Sequence, residues 1–379
     1  MALAAFLLFA GLILYSYFVY PILLGLLALL FGRSSRADDA HEPSVSVLIP
    51  AYNEEGFIAR KIENALALEY PREKIEILVA SESDDGTDAI VLRYEKEGVR
   101  LLPSAIRRGK VANLNRAVPE SHGEILLFTD ANAMIRPDAL RKMVRHFADP
   151  RIASVSGRLV YANPDSSAAG HAEGIYWGME RLLKTASSRI FCLPGANGSL
   201  FGVRRSCYRP IAEDRGDDFE IPIRCIIDGF GSILEPEAIS VEGSTLRFLH
   251  EYRRKVRIIN WMLRSAMILM AEAVRRGRWW LVFQLLSHKI NRWAGAFWLA
   301  GLFAANLLLL DRSPFFQLTA LAQAGFYAMA GTLLIIDHTV RPLSGWLGLP
   351  VYFIVVNAAS AVGIITCLLG REVTWHKTR

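Results

Sequence analysis

Apolar runs without a charged side chain sit at the two ends of the chain, and shorter apolar runs alternate with helix-spaced segments between them. Met1 to Gly32 carries no charge and is rich in Leu, Phe and Tyr. It is longer than the apolar core of a signal peptide, no basic segment precedes it, and no convincing small-residue cleavage site follows. It therefore reads as a transmembrane helix, with Tyr15, Tyr17, Tyr20 and Pro21 along it. Ala294 to Leu310, Ser313 to Ile336 and Pro342 to Gly370 are also uncharged, each long enough to cross a bilayer, the first only just. Arg33 and Arg36 follow the first run, which places the next segment in the cytoplasm, and the basic tail Arg371 to Arg379 points to the same side. Three crossings from a cytoplasmic domain would leave that tail outside. Pro342 to Gly370, interrupted by Pro350, Asn357 and Ser360, is therefore expected to lie in the interface or to re-enter.

Between the ends the period changes. Val45 to Pro50, Ile75 to Ala80, Val99 to Pro103, Glu124 to Phe128 and Ala153 to Tyr161 have the length and composition of strands. Glu54 to Leu68 and Lys110 to Val118 have helical spacing, and Pro137 opens a further helix near its first position. Strand–helix alternation predicts an α/β domain with a mostly parallel sheet and helices on both faces. The organisation expected is a membrane helix at 1–32, a polar linker at 33–43, the α/β domain at 44–245, amphipathic interface helices at 246–293, membrane helices at 294–370 and a basic cytoplasmic tail at 371–379.

Composition agrees with this partition. A chain of 379 residues with 52% hydrophobic residues and a mean hydropathy of +0.26 is too apolar for a soluble protein. It has room for one soluble domain of roughly 200 residues besides its membrane helices. Cys192, Cys207, Cys225 and Cys367 are scattered without CxxC spacing, so neither a disulfide framework nor a zinc site is indicated. The net charge of +6 is concentrated after Glu242, where Arg253, Arg254, Lys255, Arg257 and Arg264 are interleaved with Ile258, Trp261 and Met262. That mixture belongs to helices in a membrane interface, with cations toward anionic lipid or substrate. A basic block adjoining membrane spans argues against nucleic acid as a partner.

Five turns carry the candidate chemistry. They are Pro50–Glu55, Glu82–Asp88, Arg107–Lys110, Asp130-Ala131-Asn132, and Gly216–Glu220, which opens a helix. Each alone is an ordinary turn or helix cap. Four of them follow successive strands, at the edge where open α/β sheets bind ligands. Asp130 and Asn132, two positions apart, can both reach one hard cation and the phosphate oxygens it bridges.

The chain resembles membrane-integrated family 2 glycosyltransferases related to cellulose, chitin, hyaluronan and poly-N-acetylglucosamine synthases. The resemblance rests on Val-Leu-Ile-Pro-Ala-Tyr-Asn-Glu-Glu, the turn ending Asp-Gly-Thr-Asp, Gly-Lys-Val-Ala-Asn-Leu-Asn, Phe-Thr-Asp-Ala-Asn, Gly-Asp-Asp-Phe-Glu-Ile and Leu-Glu-Pro-Glu-Ala, over roughly Ser44 to Trp261. It implies a Rossmann-like GT-A domain that inverts the anomeric centre of a UDP-sugar with Mg²⁺ or Mn²⁺. By resemblance, Ala51, Glu54 and either Glu82 or Asp84 cradle the nucleotide. Lys110, Arg257 and Asp130 face the diphosphate, and Asp130 with Asn132 holds the metal. Asp218 matches the base, with Asp217 beside it. Gly195, Asn197 and Arg254 lie on the acceptor side. Two departures stand out. Asn132 replaces the second Asp of the usual Asp-x-Asp. Arg254-Lys255-Val256-Arg257-Ile258 keeps the Arg of Gln-x-x-Arg-Trp but neither the Gln nor the Trp, while Trp375-His376-Lys377-Thr378-Arg379 resembles the endings of several synthases.

The expected function is sugar transfer at the plasma (inner) membrane to a growing surface polysaccharide. Transfer of one sugar to a lipid-linked acceptor is the alternative, and a non-catalytic nucleotide-sugar-binding subunit the remote one. Expected partners are the sugar donor, a carbohydrate or lipid-linked acceptor, the bilayer and export or accessory subunits.

Overall fold

The computed structural model describes residues 1–162, 168–243, 248–339, 343 and 345–371. The central domain is built on eight strands: β1 Val45–Ala51, β2 Ile75–Ser81, β3 Val99–Pro103, β4 Ile125–Phe128, β5 Met134–Ile135, β6 Ile152–Tyr161, β7 Phe201–Arg204 and β8 Gly231–Glu242. They form one sheet in the order β3-β2-β1-β4-β7-β6-β8-β5. β3, β2, β1 and β4 are parallel throughout, as the alternation of apolar runs and helices predicts. β7 enters antiparallel to β4 and to β6, and β5 antiparallel to β8. The parallel expectation thus holds best for the first half of the sheet. β7 is four residues and β5 two, too short for a periodic signal.

Alternation along β1 sends its side chains to two cores. Val45, Val47 and Ile49 pack with Ile58 and Ile62 of helix α2 (Ile58–Leu66), and with Met143 and Phe147. Leu48 packs on the other face with Leu126, Phe128, and Val111 and Leu114 of helix α4 (Lys110–Ala117); α3 is the short helix Thr87–Leu92. Glu54 to Phe57, expected within α2, form a turn whose Glu54 carbonyl accepts from Phe57 and Ile58 N–H. Helix α5 (Ala139–Val144) follows Pro137.

Helices α6 (Ala168–Arg189), α7 (Asp217–Ile227) and α8 (Phe248–Arg275) complete the domain. α8 is clamped to α7 through Glu220, a fully buried carboxylate that pairs with Arg215 at 3.0 Å and Arg224 at 2.7 Å and accepts from Ser265 Oγ at 3.0 Å. Its Arg264 reaches Asp214 at 3.2 Å.

Among the described residues three helices are long and apolar enough to cross a membrane: Ala2–Phe31 (α1), Pro314–Thr339 (α11) and Gly345–Leu368, whose α-helical part is α12 (Gly348–Leu368). Helix α9 (Trp279–Gln284) and the π-helical turn Leu285–Ile290 lead to α10 (Gly295–Leu307). α10 has 13 residues, about 20 Å of helix against a hydrocarbon core of about 30 Å. Of the three C-terminal stretches the short one is 294–310, whereas 342–370 contains a helix of spanning length. α12 runs alongside α8, with Tyr352 Oη donating to Glu251 near one end and Asn260 Nδ2 donating to Thr366 Oγ1 at 3.0 Å near the other. Trp375 to Arg379 lie outside the described residues.

Candidate active site

The in-register pairs Ala51–Ser81 and Ser81–Pro103 bring the carboxyl ends of the parallel strands level, so the turns that follow them meet above one edge. A cavity of about 1860 Å³ opens there. Ala51, Glu54, Glu82, Lys110, Asp130, Asn132, Gly195, Asn197, Asp217, Asp218, Arg254 and Arg257 all line it. Asp84 does not. It is bound to Asn53, accepting from Asn53 Nδ2 at 2.6 Å and returning its own N–H to Asn53 Oδ1 at 3.0 Å. That exchange holds Asn53 at a positive φ of 54°, which lets the β1 turn double back. Glu82 is 6% exposed, and its Oε2 accepts from the N–H groups of Arg108 at 3.0 Å and Gly109 at 2.8 Å. Glu82 thereby fixes the loop that delivers Lys110. The Arg107 guanidinium lies 3.9 Å from the centre of the Tyr52 ring, roofing the same corner.

Lys110 is the electrostatic centre. Its Nζ lies 2.8 Å from Asp130 Oδ1 and 3.0 Å from Asp217 Oδ2. Asp217 Oδ2 is buried and receives no hydrogen bond of proper geometry, so its contact with Lys110 is an ion pair only. Burial pushes the Lys110 ammonium down, but Asp130, Asp217 and Asp218 outweigh it and hold it well above its ordinary value. Asp218 shows the converse. Burial and the Asp217 charge push its carboxyl up to about 6, against the pull of Lys110 and Lys184.

The acceptor-side loop wraps Asp218 closely. Gly195 has φ of 116°, and its neighbour Ala196 donates its N–H to Asp218 O at 2.7 Å. A Cβ on Gly198 would come within 3.2 Å of Asp218 Oδ2. Asn197 contributes through its backbone position, because its side chain is engaged. Its Nδ2 donates to Gly157 O, and its Oδ1 accepts from Lys184 Nζ at 2.6 Å. Arg257 lines the cavity with its guanidinium 5.5 Å from the Trp261 ring centre. Trp261 follows Arg257 by one helical turn, on the same face.

Two lysines central to this geometry escape the sequence reading. Lys61 is fully buried. Its Nζ donates to Thr129 Oγ1 at 2.7 Å and to Ala133 O, on either side of Asp130–Asn132, and Thr129 Oγ1 donates to Ser199 O at 2.8 Å. The donor turn and the acceptor loop are thus tied through one ammonium. The signal was a lysine between Ile58 and Ile62 on the buried face of α2. Lys184, held by the acceptor loop, left no comparable trace in its own helix.

A divalent cation fits this donor set with help from a substrate. Among the described residues no group of three His, Cys, Asp or Glu side chains could by itself hold a metal ion. Asp130 and Asn132 offer oxygen ligands in the cavity, and the under-bonded Asp217 Oδ2 leaves room for more positive charge. One carboxylate completed by phosphate oxygens and water is an ordinary Mg²⁺ arrangement.

Residues 46–211 match the family model described as glycosyl transferase family 2. A β-monoglucosyldiacylglycerol synthase of Trichormus variabilis is 34% identical over 128 residues, 32% of this chain and 27% of the relative. A poly-β-1,6-N-acetyl-D-glucosamine synthase of Staphylococcus epidermidis is 26% identical over 238 residues, 62% of this chain and 53% of the relative. The chain therefore spans about half or less of these relatives. In three dimensions it is similar to a mannosyltransferase from Pyrobaculum calidifontis, solved in complex with GDP-Man and Mn²⁺, with a TM-score of 0.72 and 22% identity over 98% of this chain and 99% of that one. The chain carries a glycosyl transferase family 2 domain on a GT-A fold, joined to helices long and apolar enough to cross a membrane.

Proposed function

We propose that the chain is an inverting glycosyltransferase that moves a sugar from a nucleoside diphosphate sugar to a lipid-linked acceptor at the membrane, with Asp218 as the base. The observation that carries this reading is the shared cavity. A cation bridging Asp130 and Asp217 and a carboxyl pushed up to about 6 line the same space, which apolar residues of α11 and α12 also line. Asp130 and Asn132 would hold Mg²⁺ or Mn²⁺ against the diphosphate. When bound, the ion neutralises the charge that builds on the leaving diphosphate. Lys110 exchanges a carboxylate for a phosphate oxygen, and Arg257 adds positive charge from α8. Asp218 takes the proton of the acceptor hydroxyl while the new bond to the anomeric carbon forms and the bond to the diphosphate oxygen breaks. A single displacement inverts the centre and needs no covalent nucleophile.

The lipid-linked acceptor is supported by Phe326 of α11 and Leu349, Tyr352, Phe353 and Val356 beside or within α12, which line the cavity opposite the donor turns. A growing polysaccharide remains the second reading because Trp261 beneath Arg257 supplies the stacking surface that Ile258 lacks. Charged groups kept at three separate turns argue against a non-catalytic subunit. The reading includes a cytoplasmic domain at a plasma (inner) membrane and Mg²⁺ or Mn²⁺ dependence.

Purified protein given radiolabelled UDP-glucose, UDP-N-acetylglucosamine, UDP-galactose or GDP-mannose with membrane lipid should yield one product carrying one added sugar. A ladder of products would replace the lipid reading with the polymer one. Asp218→Asn should lower transfer by about a thousandfold with donor affinity retained. Unchanged transfer in that variant removes Asp218 from the mechanism.

A further inference from the structure

The loop 195–199 lies directly against the base. Ala196 donates its N–H to Asp218 O at 2.7 Å, and a Cβ on Gly198 would come within 3.2 Å of Asp218 Oδ2. On the other side of Ala196, a Cβ on Gly195 would come within 3.4 Å of the Phe219 ring. Where this loop stands therefore decides how much room an acceptor hydroxyl finds beside Asp218.

Lys184 of α6 grips the loop at this point. Its ammonium donates to Asn197 Oδ1 at 2.6 Å and to Ala196 O at 3.3 Å, so it holds the residue that touches Asp218 and the one after it. Asn197 carries the hold on to β6, donating its N–H to Ser156 Oγ at 3.0 Å and its Nδ2 to Gly157 O. Lys184 and Asn197 line the active-site cavity and also a second cavity of about 220 Å³ between β6 and α6. Groups beside a void lose the contacts that would otherwise brace them. Hydrogen bonds therefore carry more of the placement of Asn197 than close packing does.

A buried ammonium is costly unless hydrogen bonds and opposite charge compensate it. Lys184 is 8% exposed, and burial pulls its ammonium down to about 8, with Glu180 and Asp218 holding it up and Lys289 opposing them. Glu180, one turn earlier on α6, is itself met by His288 Nε2 at 3.2 Å, Lys289 Nζ at 3.4 Å and Arg292 Nη1 at 3.0 Å. Asp218 is faced by Lys110 of α4 and by Lys184 of α6, and also by Asp217 and Asp130. In the proposed reaction Lys110 turns to the diphosphate, which leaves Lys184 as the cation beside the base while the donor is bound.

We infer that Lys184 is a positioning residue for the transfer: by gripping Ala196 and Asn197 it sets the acceptor loop against Asp218, so that the base meets an acceptor hydroxyl rather than water. The inference rests on the proposed transfer reaction and adds to it the choice between acceptor and water. Hydrolysis is the same displacement with water as the nucleophile. The water oxygen bonds to the anomeric carbon, the bond to the diphosphate oxygen breaks, and Asp218 takes the proton. A loop displaced by about 1 Å misplaces the acceptor hydroxyl and widens the space at Asp218, which diverts donor to water.

The test compares the full chain with its Lys184→Met variant in neutral detergent, with total membrane lipid as acceptor and the four radiolabelled nucleotide sugars named above as donors. Label passed to lipid and free sugar released to water are followed in the same reaction. The ratio of transfer to hydrolysis should fall at least about tenfold in Lys184→Met, with donor KM shifted less than about twofold. Asn197→Ala should lower the same ratio, and adding Lys184→Met to it should change the ratio by no more than about twofold, because both break one contact. Should Lys184→Met fail to fold, Asn197→Ala carries the same expectation. A lysine needed only for structure would lower transfer and hydrolysis together and leave their ratio in place. That outcome, or losses that multiply in the double variant, overturns the inference. Hydrogen exchange read by mass spectrometry needs no turnover: peptides covering 193–200 should exchange faster in Lys184→Met, and those covering 107–113 at the native rate. Equal protection of 193–200 in both proteins also overturns the inference. A native protein that transfers to no acceptor, with 193–200 loosened in Lys184→Met, would count against the proposed reaction and leave Lys184 as the residue that holds the loop.

Discussion

Lys110 and Asp130 stand at the ends of structure that the parallel half-sheet supplies directly, whereas Tyr17 and Arg292, which line the same cavity with the guanidinium 5.9 Å from the ring centre, come from segments far apart in the chain. On the donor side, consecutive strands end level, and each turn inherits its place from the register of the strand before it. On the membrane side, α1, α6, α8, α12 and the π turn each contribute a few residues, and their placement comes from packing between distant segments. The donor wall is polar and held by local hydrogen bonds, as at Glu82 and Asn53. The membrane wall is apolar apart from the buried charges gathered on Glu180. One wall is fixed by topology, the other by assembly, and substitutions should separate them.

The largest effect is expected on the donor side. Lys110→Met removes the cation that bridges Asp130 and Asp217 and leaves two carboxylates facing each other. Their repulsion and the lost phosphate contact should lower kcat by about a hundredfold to a thousandfold and weaken donor binding. The comparison breaks if acceptor KM changes and the donor parameters do not. Steady-state kinetics with each substrate varied in turn decides it.

Lys61→Met probes the seam between the walls. Its ammonium ties the turn holding Asp130 to the acceptor loop through Thr129 and Ser199 O. Methionine fills the volume but leaves Ala133 O without its donor, at a cost of about 1–3 kcal/mol. Small displacements of both loops should lower kcat by roughly tenfold, with little change in donor affinity. Burial already pulls the Lys61 ammonium down to about 7, so the neutral replacement is tolerated electrostatically. An unaltered kcat together with a lowered melting temperature would make Lys61 a structural residue only.

The same contrast explains what the sequence could disclose. Strands β1 to β4 and the turns after them were legible because a buried strand writes a continuous apolar run, and the residues that follow it share an edge. Asp130 and Lys110 were marked this way, whereas Asp218, on a turn that opens a helix, was marked by the resemblance. Between Glu82 and Asp84 the choice stayed open, because both follow β2 and only the fold turns one inward. β5 and β7 were missed because two and four residues carry no period. The Glu180 cluster was invisible for a different reason. Its members lie about 110 residues apart, with separations of 108, 109 and 112, on helices whose charges read individually as solvated positions. The crossing count took 294–310 as long enough to span, and the absence of charge there hid that it forms a 13-residue helix packed along α1.

The smallest expected effect is thermodynamic and tests whether the donor wall stores instability for its chemistry. Burial and the Asp217 charge raise the carboxyl of Asp218 to about 6, so the folded protein holds this proton more tightly than the unfolded chain does. A raised carboxyl contributes stability that is complete below the ordinary carboxylate value near 4 and is lost as pH rises through about 6. At pH 8 the ionised group is therefore a net cost, offset only in part by Lys110 and Lys184. Asp218→Asn removes that cost without changing the volume. The variant should melt about 2–4 °C higher at pH 8, and the gain should fade toward pH 5 as the native residue becomes protonated. Thermal melts of both proteins across that range give the answer. A gain that is constant with pH, or a loss, would mean that the carboxylate is held by contacts favouring its charge. Asp218 would then be an unsuitable base, and the functional contrast between the two walls would have to be redrawn around Asp217.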